Sequence, residues 1–90
     1  MKKYLVERNR YHGGIQKVYN FPNGYGASVI CHDGSYGGPY KKNGPNFWEL
    51  AVLDSEGSIC YDTEITDDVI GHLNDPEVDR LLIKISQLWN

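Results

Sequence analysis

The stretch Ile15-Gln16-Lys17-Val18-Tyr19-Asn20-Phe21-Pro22-Asn23-Gly24-Tyr25-Gly26-Ala27-Ser28-Val29-Ile30-Cys31-His32 decides the fold, because it reads as two strands joined by a tight turn. Proline presets the φ of a turn's second position, asparagine tolerates the third, and glycine accepts the left-handed backbone that follows. Setting Phe21 opposite Tyr25 predicts one apolar face built from Ile15, Tyr19, Phe21, Tyr25, Ala27, Val29 and Cys31. Lys17 falls on the same face, where a sheet edge, or a bulge turning it outward, would accommodate it.

Toward the N-terminus, Lys3-Tyr4-Leu5-Val6-Glu7 reads as a short edge strand or an ordered arm. Toward the C-terminus, residues 33–46 hold four of the ten glycines and two of the four prolines, which predicts a loop. Phe47 to Leu53 is the next strand, with Trp48, Leu50 and Val52 on its buried face, since Glu49 interrupts the other. Asp54-Ser55-Glu56-Gly57 turns the chain into a further strand, Ser58 to Asp62, with Ile59 and Tyr61 on one side. The period then lengthens. Thr66 is placed to cap a short helix, with Asp67 and Asp68 in its first turn and Val69, Ile70 and Leu73 on one stripe. Asp75 as cap and Pro76 as first residue open a longer helix. Its stripe of Val78, Leu81, Leu82, Ile85, Leu88 and Trp89 recurs with helical spacing. The expected fold is therefore α+β: one domain over residues 1–90, an antiparallel meander of about four strands, packed by one short and one longer C-terminal helix.

Composition agrees with one small soluble domain. Ninety residues, 40% hydrophobic and 23% charged, suit a single core and argue against a disordered tail. No apolar run nears the ~18 residues of a membrane span. Lys2 and Lys3 precede no apolar stretch of the secretory kind, so a reducing cytoplasm is expected, with Cys31 and Cys60 as thiols packed like small hydrophobes. Charge is uneven. Up to Trp48 seven lysines and arginines face two acids, a balance of +5; beyond it two face ten, a balance of −8. Halves on separate faces would steer a charged partner, whereas interleaved halves would cancel the field.

The residues offer little for catalysis or metal binding. A zinc site would draw on Cys31, Cys60, His12, His32 and His72, but no Cys-x-x-Cys or His-x-x-x-His pair starts one. Cys31 and His32, adjacent on a strand, point to opposite faces. Asp62, Glu64, Asp67 and Asp68 flank an expected helix start, where acids are common, and the glycines of residues 34–44 are not spaced as a phosphate cradle. No enzymatic activity, cofactor or metal is expected. The loop is the candidate site. His32, Asp33, Ser35, Tyr36, Tyr40, Lys41, Lys42 and Asn43 combine rings, donors and positive charge, as adaptable contact surfaces do. The plainer alternative is a solvated connection whose tyrosines lie back on the sheet. His12-Gly13-Gly14 is placed to join the same end of the sheet.

Four ordered blocks carry a resemblance: Phe21 to Ile30, Ser35 to Gly38, Trp48 to Val52, and Asp67 to Leu73. From about Arg10 to Ile85 the chain resembles a group of small, uncharacterised proteins encoded by tailed bacteriophages and prophages, departing from it mainly in Lys41-Lys42-Asn43-Gly44-Pro45. The resemblance implies a phage accessory protein acting in a bacterial host cytoplasm, and no particular chemistry. Small size, charge asymmetry and the tyrosine-rich loop point to a non-enzymatic protein that binds and modulates or inhibits a host or defence protein. The alternative is a protein that binds or sequesters a small nucleotide-like ligand. A pI near 5.5 argues against a general nucleic-acid binder. Phe47, Trp48 and Trp89 are enough large rings to suggest a homodimer.

Overall fold

The hairpin expected around Pro22-Asn23-Gly24 is the centre of a five-stranded antiparallel sheet. The computed structural model describes residues 2–35, 38–60, 63 and 69–88. A 3-10 turn, Lys2–Tyr4, leads into β1 (Leu5–Tyr11), β2 (Gly14–Asn20), β3 (Gly26–Cys31), β4 (Trp48–Leu53) and β5 (Ile70–Leu73), followed by α1 (Asp75–Ser86). Each strand pairs with its neighbour in sequence, so the sheet order is β1-β2-β3-β4-β5.

The β2–β3 register is the one the turn chemistry predicts: Tyr19 faces Ala27, Lys17 faces Val29 and Ile15 faces Cys31. The Phe21 amide donates to the Tyr25 carbonyl at 2.8 Å, and the Gly24 amide to the Phe21 carbonyl at 3.1 Å. Gly24 has φ 91°, a left-handed value that a side chain would resist. The expected face is buried apart from Tyr25, which is half-buried against it, and so are Trp48, Leu50 and Val52 of β4. Lys17 is neither at an edge nor on a bulge. It stays on this face, half-buried, with its ammonium 4.6 Å from the centre of the Trp48 ring, so a cation–π contact makes up for the part of its solvent that the face removes.

Two expected elements differ from the structure. The strand placed at Ser58–Asp62 reduces, within the described residues, to one bridge between Leu53 and Ile59 and a Cys60 amide donating to Val52; Tyr61 and Asp62 lie outside them. The short helix also fails where it is described: residues 70–73 form β5, paired with β4 through Leu50–Ile70 and Trp48–Leu73. Gly71 weakens a helix there, and a segment this short gains more by bonding to the open side of β4 than by closing its own turns. Thr66, Asp67 and Asp68 lie outside the described residues. The sheet therefore has five strands rather than four, with a single α-helix among the described residues.

That helix begins one residue earlier than the sequence suggested. Asn74, not Asp75, is the cap: its side chain accepts from the Glu77 amide and the Glu77 carboxylate accepts from the Asn74 amide, both at 2.9 Å. Asp75 is occupied elsewhere, accepting from the Trp48 indole N–H at 2.7 Å. At the other end Asn23 donates from one amide nitrogen to the carbonyls of Ile85 (2.8 Å) and Leu88 (3.0 Å). Ile85 lies in the last turn, where its carbonyl also accepts from the Leu88 amide at 3.2 Å, and Leu88 follows the helix, so the hairpin turn adds a cap at the helix C-terminus. Between the two anchors Val78, Leu82 and Ile85 are buried over β3 and β4. Trp89 lies outside the described residues.

Asn23→Asp keeps a turn-forming side chain but removes the donor and sets a carboxylate against the negative end of the helix. We expect a loss of about 2 kcal/mol at pH 7 in urea unfolding. The fold raises the pKa of this carboxylate above its unfolded value of about 3.9. The penalty relative to wild type should therefore be small below that pH and grow as pH rises through the folded value.

Candidate functional site

β1 and β2 are joined by only two residues, His12 and Gly13, with φ of 47° and 80°. Two successive left-handed residues make the turn that matches the twist of a hairpin; glycine enters it freely and histidine tolerates it better than most side chains do. Gly14 follows under a different constraint. A Cβ there would collide with the Cys31 carbonyl and stand 2.7 Å from the Cα of His32. Only glycine lets the end of β3 pass this close, and the passage brings His32 alongside the turn. The rings of Tyr11, His12 and His32 then form a cluster, with centroids 4.4 Å (Tyr11–His12), 5.3 Å (Tyr11–His32) and 5.5 Å (His12–His32) apart. His32 Nδ1 lies 2.8 Å from the Asp33 carbonyl. A carbonyl can only accept, so Nδ1 carries a hydrogen in this contact.

Beside this cluster runs a groove of about 890 Å³, lined by Arg8, Asn9, Arg10, Tyr11, His12, Gly13, Gly14, Ile15, Tyr40 and Lys42. Arg8 pairs across the strands with Lys17 and Arg10 with Ile15, so both arginines stand on the core side of the sheet, where the helix does not reach. Tyr40 closes the groove from the loop, its ring 6.4 Å from Trp48 and packed against the core. None of the described residues lining the groove is acidic.

The eight loop residues singled out from the sequence thus divide, and Asn43 is not among those lining the groove. Tyr40 and Lys42 line the groove, whereas His32 does not line it and belongs to the ring cluster with Tyr11 and His12. Ser35 is a turn lock instead: its hydroxyl donates to the carbonyls of His32 (2.9 Å) or Gly38 (3.2 Å) and accepts from the His32 amide (3.2 Å). Asp33 offers its backbone to His32 and does not line the groove. Lys41 is held by its backbone, its amide donating to Asn46 Oδ1 at 2.7 Å and its carbonyl accepting from Asn46 Nδ2 at 2.9 Å. Tyr36 lies outside the described residues. His12 joins this end of the sheet, as the sequence suggested. Arg8, Arg10 and Tyr11 were not foreseen, and the only signal for them was the Gly13-Gly14 pair that marks the turn.

The buried titratable groups belong to packing. Burial pushes the Cys31 thiol up, with a backbone hydrogen bond at Phe47 partly opposing it, and its sulfur donates to the Gly38 carbonyl at 3.6 Å. Burial and the Asp79 carboxylate both push the Tyr19 hydroxyl up. Among the described residues no group of three or more His, Cys, Asp or Glu side chains is placed to hold a metal ion, and no helix is long and apolar enough to cross a membrane. No protein-family model, no curated protein and no solved structure matches the chain.

The Asn46 clasp sets the posture of the loop that carries Tyr40 and Lys42. Asn46→Ala should accelerate amide exchange at Lys41 by about tenfold, the effect of losing roughly 1.4 kcal/mol of local protection, with exchange in β2 and β3 unchanged.

Proposed function

We propose that the chain is a non-enzymatic binding module, a phage-encoded accessory protein that modulates or inhibits a host or defence protein by holding an acidic part of its surface. The observation that carries this reading is the groove. Two cations of β1, Arg8 and Arg10, converge with Lys42 of a loop thirty-odd residues away, beside Tyr11, His12 and Tyr40, and no acid among the described lining residues neutralises them. Unpaired like charges held together repel one another, and an acidic partner relieves that repulsion on binding. The rings contribute contact area at small entropic cost.

A second reading, a small nucleotide-like ligand, rests on the same rings standing beside the same cations, since a base stacks on an aromatic face while phosphate meets arginine or lysine. Thermal shift separates the two. A nucleotide present at 100 times its dissociation constant adds about 2.7 kcal/mol to stability and raises the melting temperature, whereas a protein-binding surface leaves it unmoved.

The leading reading is tested by capture from a bacterial lysate with wild type and with Arg8→Glu/Arg10→Glu, both in low salt and at about 0.5 M, where screening shortens the reach of exposed charges to a few ångströms. We expect acidic proteins to be retained by wild type in low salt only, and lost in the double variant. Retention that ignores both salt and the arginines would overturn the reading, as would no retention at all.

A further inference from the structure

We infer that the partner is held by strand addition: an extended segment with an acidic side chain at every second residue pairs antiparallel with β1. This rests on reading the groove as a protein-binding site and specifies how the site is used.

β1 is the outer strand of the sheet, seven residues long. The two-residue turn makes Tyr11 and Gly14 a pair that exchanges hydrogen bonds, and such pairs alternate along an antiparallel ladder. Counting back through the register, Asn9 with Gln16 and Glu7 with Val18 are bonded in the same way. Arg8 and Arg10 are the residues between. Their N–H and C=O groups point away from β2, toward the open edge, while their side chains stand on the groove side opposite Lys17 and Ile15. The same two residues thus present both the positive charge and a backbone ladder with no strand partner among the described residues. A strand bonding to them sets its own side chains, two apart, directly opposite the two guanidinium groups.

The edge also discriminates. A second copy of this chain pairing through β1 with the faces aligned would set Arg8 against Arg8, Arg8 against Arg10, or Arg10 against Arg10 in each register that centres the pairing on these residues. Like charges directly opposite disfavour that dimer. The charge that repels a second copy selects an acidic strand, and Lys42 across the groove adds to the attraction.

The probe is the acetylated and amidated peptide Thr-Glu-Val-Glu-Val-Glu-Thr, compared with the same peptide N-methylated at its glutamates, which keeps the charge and removes the donors that would face β1. We expect the parent peptide to slow amide exchange at Arg8 and Arg10 while leaving Glu7 and Asn9 little changed, and N-methylation to weaken binding by about tenfold or more. Equal binding of the two peptides, or no protection at Arg8 and Arg10, overturns strand addition but leaves the groove as an acid-binding surface wherever capture still depends on the arginines. Capture that does not depend on them overturns both. Tighter binding of a single-stranded oligonucleotide than of the peptide also counts against the proposal.

Discussion

A helix of twelve residues is about 18 Å long and, with its side chains, about 10 Å wide, whereas five strands about 4.8 Å apart make a sheet roughly 20 Å across. One helix therefore shields about two strands, and α1 lies over β3 and β4. The rest of the inner face has to be covered piecemeal. At the Phe21 end the N-terminal turn supplies Tyr4, whose ring meets Phe21 edge-on at 5.5 Å. At the Ile15 end Tyr40 comes in from the loop. Among the described residues, what remains open is the corner formed by β1, the start of β2 and residue 42, and the groove occupies that corner. Incomplete coverage of the sheet is thus the source of the candidate site.

Sheet order equal to chain order carries a charge pattern in the sequence directly onto the surface. The basic strands β1 and β2 stand at one side, and β4, β5 and α1, with Glu49, Asp75, Glu77 and Asp79, at the other. A crossover connection would have mixed them. The separation also accounts for Lys17, whose ammonium sits over Trp48 at the meeting of the two sides. Trp48 in turn bonds to Asp75 at the head of the helix, so one indole contacts a cation through its face and an anion through its N–H.

The central hairpin was legible down to its register because three consecutive turn residues leave little choice, and the alternation on either side agrees with them. The long helix was legible from its stripe, and β4 from Trp48, Leu50 and Val52. β1 was legible only at its start, where Lys3 to Glu7 read as an edge strand or an arm; Arg8-Asn9-Arg10-Tyr11 shows no apolar alternation, since an edge strand beside an open groove has no fully buried face to record. β5 failed for the opposite reason: in five residues, Val69, Ile70 and Leu73 fit a helical stripe as well as a strand, and only the vacant side of β4 decides between them. The site followed suit. The loop residues Tyr40 and Lys42 were found through composition, but Arg8 and Arg10 acquire meaning only once β1 is known to border the groove. Asn23 was assigned a turn role and has a second one at the helix C-terminus, which no local pattern announces.

The two polar anchors of the helix bear on how the chain assembles. All strand pairings join neighbours in sequence, so the sheet can grow hairpin by hairpin with small loops to close, a topology of low contact order for a β-rich domain. The helix is different. Its contacts with Trp48 and Asn23 span 27 and 62 to 65 residues, and these close longer loops than any of the strand turns. Cooperativity is thereby concentrated in a few long-range bonds at the two tips of one helix: the hairpins form locally, and the Asn23 and Trp48 anchors make the domain unfold as a unit.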